Sequence, residues 1–335
     1  MTPNSTGPGR ILEQIMAFYG SRVVISAVEL GLFTSLAGKS MTCEQISAEI
    51  GLHARGARDF LDALVSLGLL DRADGSYRNS PDSELHLVVG EPGYVGGYAR
   101  MADSMLFDVW SKLTEALRTG REQVPSDRGI FDGYRDAQVT RGFLGAMDAV
   151  NSGVGAALVG AFPWDRYSSF VDLGGARGNL AATLVRAHPH LDATCFDLQP
   201  VERFFDEHVD KLGLADRIRF VAGDFFADPL PVVDVVVVGH VLHYFDLPLR
   251  EALLARVHES LKPGGAVVLY DRMIDAERRT RSLSLLGSVN MLLTSPGGRE
   301  YTPVEAREWL VAAGFGTVEI ADVCYPDTLV VGYKE

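Results

Sequence analysis

Apolar positions along the chain change their spacing once. From about residue 12 to residue 100 they recur at helical intervals and end in short turns: "ILEQIMAFYGSRVVISAVELGLFTSL", "TCEQISAEI", "ARGARDFLDALVSLGLL" and "DRADGSYRNS". The middle pair, joined at "GLH", has helix-turn-helix spacing, and "LLDRADGSYRNS" reads as a two-stranded wing turning at Gly75. Residues 1–100 are therefore expected to form a mainly helical winged-helix domain, and 101–160 a mostly helical linker. After about residue 168 apolar runs alternate with amphipathic helices. The runs are "SSFVDLG", "ATCFDL", "RIRFVAGDFF", "DVVVVGHVL" and "AVVLYDRMI"; the helices include "NLAATLVRAH", "VERFFDEHVDKLG" and "PLREALLARVHESLKPGG". Unbroken β-branched runs such as Val235–Val238 suit parallel strands covered on both faces, so residues 161–335 read as a doubly wound α/β domain. "YTPVEAREWLVAAGF" carries a helix start, with Thr302 as N-cap, Pro303 at the first helical position and Glu305 completing a capping box. "GTVEIADV" and "DTLVVGYKE" add two strands joined by a short turn, which brings the sheet to seven, mostly parallel.

A chain of 335 residues with 47% hydrophobic content can bury a large core and suggests two domains. No apolar run approaches the roughly 20 residues that span a bilayer, and "MTPNSTGPGR" lacks the regions of a signal peptide. A cytoplasmic location and no membrane partner are the expectation. Cys43, Cys195 and Cys324 have no paired spacing for zinc or a redox dithiol and read as core thiols. The net charge of −13 repels phosphate backbones. The helix-turn-helix itself is acidic, with Arg55 and Arg58 against Glu44, Glu49, Asp59, Asp62 and Asp71. Its apolar faces are expected to pack on a partner subunit, not on a nucleic acid; a DNA-binding regulator is the competing reading.

Ligands of open α/β sheets sit beyond the carboxyl ends of the strands. The first strand ends in Asp172 and the turn glycines Gly174 and Gly175; the second ends in Asp197, about twenty residues on, beside Leu198. Asp197 is placed to accept from both hydroxyls of a ribose. Asp224, at the third strand's end, can accept from an adenine amine while Phe225 covers the ring, and Gly239 and His240 follow the fourth. These residues describe an adenosine site. Asp172 then separates the candidates, because a carboxylate repels a pyrophosphate but attracts a sulfonium and an ammonium. S-adenosylmethionine is the expected cofactor, leaving as S-adenosylhomocysteine.

"VDLGGARG", "GDFFADPLP", "GHVLHYFD", "LKPGGAVVLYDRMID" and "SPGGREYT" together resemble the S-adenosylmethionine-dependent small-molecule O-methyltransferases of the caffeate and acetylserotonin type, including their bacterial secondary-metabolism branch. The resemblance covers nearly the whole chain. It implies a Rossmann-like methyltransferase domain behind a winged-helix dimerisation domain, and a homodimer. One departure is Ala176, where the family usually has glycine. Methyl transfer to a phenol needs two positioned reactants and a base, and histidine, with a pKa of about 6.5, suits that task. The family's base falls on His243, and its two flanking acids on Asp271 and Glu300. The helices that border the acceptor carry Met101, Met105, Phe107, Trp110, Asn290, Met291 and Ser295, whose soft and flat side chains imply an aromatic or apolar small molecule. No metal is expected, and His240 reads as a supporting residue. Related bacterial enzymes methylate the carbon of 2-oxo acids with a bound iron, but the second histidine of that set is Ser295 here, and Tyr244 stands where the family commonly has Asp. Carbon methylation is the alternative, as is a catalyst on this fold that keeps the cofactor without transferring its methyl group.

Overall fold

The computed structural model describes residues 7–91, 93–124 and 137–335. They fall into two units, one running up to Leu106 and taking in Gly145–Val150, the other made of Phe107–Leu144 and Asn151–Glu335. Residues 125–136, part of the stretch expected to be mostly helical, lie outside the described residues.

In the first unit a long helix, Gly9–Glu29, precedes the helix pair Cys43–Ile50 and Ala54–Ser66. Around the pair lies a three-stranded antiparallel sheet of β1 (Met41–Thr42), β2 (Leu70–Ala73) and β3 (Ser76–Asn79), in the order β1-β3-β2. Thr42 and Gln45 close a reciprocal capping box that starts the first helix of the pair. Its second helix buries Ala57, Leu61 and Leu64, one stripe at helical spacing. Asp74 and Gly75 both adopt left-handed backbone, the requirement of a two-residue hairpin, and so fix Ala73 opposite Ser76. Helix pair and wing are thus where the sequence puts them. On Gly9–Glu29 the side chains Ile11, Ile15, Phe18 and Tyr19 remain more than half exposed.

The expectation that no apolar run approaches membrane-spanning length needs correction. Gly9–Glu29 and Ala137–Ala161 are both long and apolar enough, by length and composition, to cross a membrane. Scattered charges such as Glu13 and Arg22 break every uninterrupted run but do not lower the average enough.

The second unit holds the seven-stranded sheet: β4 (Ser169–Leu173), β5 (Asp192–Asp197), β6 (Ile218–Ala222), β7 (Val233–Gly239), β8 (Leu261–Asp271), β9 (Thr317–Cys324) and β10 (Asp327–Tyr333). Its order is β6-β5-β4-β7-β8-β10-β9. The first five strands run parallel, and β10 is antiparallel to both β8 and β9. Order reverses between β4 and β7, which puts the carboxyl ends of β4, β5 and β7 around one crevice. The valines of β7 explain the double covering: Val235 and Val237 join the core on one face, Val236 and Val238 the core on the other. Each contributes about 1.5–3 kcal/mol of burial, and no alternation with polar residues is possible.

Two further expectations are corrected. The helix read as running through "LKPGG" stops at Ser260, and β8 begins at Leu261. Pro263 forces Lys262 out of helical geometry, and Gly264 takes left-handed backbone. Of the three cysteines only Cys195 is buried; Cys43 and Cys324 are half-buried.

Candidate active site

The turn after β4 is built by close contacts. A Cβ on Gly174 would lie 2.8 Å from Val241 Cγ2, and one on Gly175 2.6 Å from Cys195 Sγ and 2.9 Å from the Asp172 carboxyl. Only bare backbone fits there. Gly178, also left-handed, begins the helix Asn179–Ala187. Ala176, the departure from the family glycine, sits in left-handed backbone at φ 50°. Its amide is still usable: it donates to Asp197 Oδ2 at 2.8 Å, while the Leu198 amide donates to Asp197 Oδ1 at 2.7 Å. Each Asp197 oxygen keeps a second lone pair for a ligand hydroxyl.

Asp172 is buried, and among the described residues no cationic side chain pairs with it. Burial first, and the charge of Asp197 second, push its carboxyl up to about 7. Asp197 is pushed up to about 6 by burial, with the Leu198 and Ala176 amides holding it back. Two buried acids short of positive charge are a receptor for a cation. The donor set suits a ligand that carries both positive charge and hydroxyl groups: Asp172 can face the charge and Asp197 can accept from the hydroxyls.

The remaining adenosine candidates spread out. Asp224 is exposed; its Oδ1 accepts the Phe226 amide at 2.8 Å. Phe225 stands in an aromatic cluster with Phe226 and Phe245, at centroid distances of 5.0 and 5.9 Å. Gly239 lies directly under a ring, since a Cβ there would be 1.9 Å from Tyr270. His240 turns out to face the catalytic candidates: its Nδ1 is 3.3 Å from Asp271 Oδ1 and its Nε2 3.0 Å from Asp327 Oδ1.

His243 sits in the short turn Leu242–Tyr244 after β7. Its Nδ1 lies 2.8 Å from Asp271 Oδ1 and 3.1 Å from Glu300 Oε1. Its Nε2 is buried and has no hydrogen-bond partner among the described residues, and the same holds for Glu300 Oε2. Asp271 ends β8 and receives the Tyr301 hydroxyl on Oδ2 at 3.1 Å. Glu300 precedes the helix Pro303–Ala312, where the expected Thr302–Glu305 capping box is present. Burial alone would depress His243, but the Asp271 and Glu300 carboxylates outweigh it and push the imidazole up to about 10. Asp271 is held well below its ordinary range against the cost of burial by His243 and His240. Glu300 is raised by burial, with Asp271 adding to the rise and His243 opposing it.

Ligand-capable atoms of His240, His243 and Asp271 come within 4.8 Å of one another. The atoms that converge are already paired: one Asp271 oxygen faces a nitrogen of each ring.

Among the acceptor candidates, Trp110 Nε1 donates to Asn290 Oδ1 at 2.9 Å, which orients the amide with its NH2 donors free of that contact. Met291 is buried. Ser295 is buried at the end of Ser282–Thr294; its hydroxyl donates to the Met291 carbonyl at 3.0 Å and accepts the Gly298 amide at 3.1 Å, so it secures the chain's exit from the helix. Phe107 belongs to the same unit, Met101 and Met105 to the first.

Sequence reasoning missed Arg250, Tyr301 and Asp327. Arg250 is almost wholly buried in the helix Leu247–Ser260. Its guanidinium donates to the Phe245 and Arg299 carbonyls and lies over the rings of Tyr301 and Trp309, at 5.0 and 5.1 Å. It therefore ties the turn carrying His243 to the segment carrying Glu300. The signal was available: Arg250 stands at helical spacing with buried Leu253, Leu254 and Val257.

Residues 110–316 match the O-methyltransferase domain, and residues 12–89 the O-methyltransferase dimerisation domain. The chain is similar to the tetracenomycin polyketide synthesis 8-O-methyl transferase TcmO of Streptomyces glaucescens, with 63% identity over 100% of this chain and 99% of the relative. It is 37% identical to the N,N-dimethyltransferase OxyT of Streptomyces rimosus, over 97% of this chain and 96% of that one. Human N-acetylserotonin methyltransferase, solved in complex with S-adenosylmethionine, superposes with a TM-score of 0.91 at 29% identity, over 100% of this chain and 99% of that chain.

Proposed function

Because the chain belongs to the O-methyltransferase family and is an S-adenosylmethionine-dependent enzyme, we propose that its acceptor is a phenolic hydroxyl of an aromatic polyketide and that His243 is the general base. The relative at 63% identity supports the substrate class, since its name places it in polyketide synthesis as an 8-O-methyltransferase.

One observation carries the base assignment. His243 offers Nε2 with no protein partner among the described residues, while Nδ1 faces two buried carboxylates. An acceptor hydroxyl can donate to Nε2, and the proton that moves there leaves an imidazolium that Asp271 and Glu300 stabilise. S-adenosylmethionine supplies an electrophilic methyl group when bound. Asp172 and Asp197 hold and orient it, with Gly174, Gly175 and Leu198 shaping the turn and Asp224, Phe225, Gly239 and His240 near the adenosine strand ends. Trp110, Asn290, Met291 and Phe107 line the acceptor, while Ser295 acts through the helix end; Met101 and Met105 keep their assignment from the resemblance. By domain, residues 1–100 serve dimerisation, 101–160 contribute acceptor contacts, and 161–335 hold the cofactor. The enzyme works as a cytoplasmic homodimer through its dimerisation domain, with neither nucleic acid nor membrane as partner.

The test is transfer of labelled methyl groups to phenols, aromatic polyketides and 2-oxo acids, with mass spectrometry locating the label and a chelator control. Label on phenolic oxygen, insensitive to chelator, is expected. His243→Ala should lower kcat about a hundredfold to ten-thousandfold while leaving cofactor affinity near its original value. Label on carbon that chelator abolishes would replace this reading with metal-assisted carbon methylation, and full turnover by His243→Ala would remove the base.

A further inference from the structure

We propose that His240 is a positioning residue: held between Asp327 and Asp271, it keeps a fixed positive charge beside the carboxylate that anchors His243, and so stops the base from holding its proton too tightly. The inference rests on the reading of His243 as the base.

The two histidines are held differently. His243 presents one nitrogen to both of its acids, which leaves the other for the acceptor. His240 presents its two nitrogens to two different acids, Nδ1 toward Asp271 and Nε2 toward Asp327. A neutral imidazole has one donor and one acceptor, and an acceptor lone pair aimed at a carboxylate is repulsive. Only the imidazolium places favourable charge toward both acids. The Asp327 contact, 3.0 Å long, is an ion-pair distance without hydrogen-bond alignment, so charge sustains it. His240 and both acids are buried, which keeps the attraction little screened. The chain adopts left-handed backbone at His240 to set the ring there, at φ 52°, with the His240 amide donating to the Tyr270 carbonyl at 3.1 Å. A non-glycine residue held in that conformation has its position over-determined by its surroundings.

The consequence for His243 has a definite sign. Asp271 and Glu300 both favour its protonated form, and a group that stays fully protonated near neutrality is a poor base. His240 faces the same Oδ1 of Asp271 as His243 does, with the two rings 5.8 Å apart. A positive charge there opposes the protonation of His243. The other titratable groups around the pair do not replace it. Tyr270 meets the His240 ring edge-on, Tyr244 meets the His243 ring, and Tyr301 donates to Asp271. Arg250 lies over the Tyr301 ring, and Asp172 adds to the burial that raises the Tyr270 hydroxyl. Burial would lower the proton affinity of His240, yet the two carboxylates leave it raised, as a held charge requires.

The kcat–pH profile tests this. His240→Gln, which removes the charge and keeps a polar side chain, should move the acid limb about one pH unit upward. His240→Arg, which restores a fixed charge, should return the limb close to its original place. Independently of any substitution, 15N chemical shifts of the histidine rings in the unaltered enzyme should show His240 as imidazolium across the range in which His243 titrates. A limb that stays in place in His240→Gln while kcat falls at every pH, or a neutral His240 in the 15N spectra, would overturn this inference and leave the base intact. An acid limb that survives His243→Ala would remove the base assignment, and this inference with it.

Discussion

Asp172 and Asp197 make a prediction that follows from two side chains. Both carboxyls bind their protons more tightly in the fold than in an unfolded chain, with values of about 7 and about 6. A raised acid contributes stability while it is protonated, so their contribution to the unliganded fold declines as pH climbs from about 4 to 7. The proposed cofactor roles need the opposite state, with Asp197 accepting hydroxyl hydrogens and Asp172 facing positive charge. The rise in Tm on adding S-adenosylmethionine should therefore grow between pH 5.5 and pH 8, measured by differential scanning fluorimetry; a rise that is flat across that interval would detach these acids from the cofactor. As candidates these residues were legible because strand ends are where an α/β sheet displays its chemistry, and His243, Asp271 and Glu300 came as candidates with the family pattern. Asp327 was not legible. It begins the last strand, a place with no expected ligand, and only the antiparallel pairing of β10 with β8 sets Thr328, its neighbour, opposite Asp271.

At the level of elements, boundaries follow local chemistry wherever a cap or turn residue is decisive. The Thr302 capping box, the Asp74–Gly75 hairpin and the β-branched core of β7 were all readable for that reason. The start of β8 was not, because "LKPGG" has the look of a helix end followed by a loop, whereas pairing with β7 draws Leu261 into the sheet opposite Val233. Arg250 shows a second limit: helical spacing reveals that a charge sits on the buried stripe, but not which carbonyls await it. Its two carbonyl contacts bridge otherwise separate segments. Arg250→Leu, which keeps much of the volume and loses the donors, should destabilise the fold by about 2–4 kcal/mol. Chemical denaturation would show that loss, and kcat should fall as Glu300 loosens from His243. Unchanged kcat in a destabilised variant would confine Arg250 to folding.

For the molecule as a whole, the exposed apolar side of Gly9–Glu29 and the dimerisation-domain match point the same way. Ile15→Asp combined with Phe18→Asp should convert a dimer of 36.4 kDa chains into single chains by sedimentation velocity; an unchanged dimer would move the interface elsewhere. The distribution of indoles has another consequence. Of the three tryptophans, Trp164 is sealed in the core with its N–H on the Leu158 carbonyl, and Trp309 is buried against Tyr301 and the Arg250 cation. Trp110 alone is half-buried, hydrogen-bonded to an acceptor candidate, Asn290. The enzyme thus carries its own optical probe: a change in intrinsic emission on adding an aromatic acceptor should come from Trp110 and vanish in Trp110→Phe, so that binding can be followed in real time without a label.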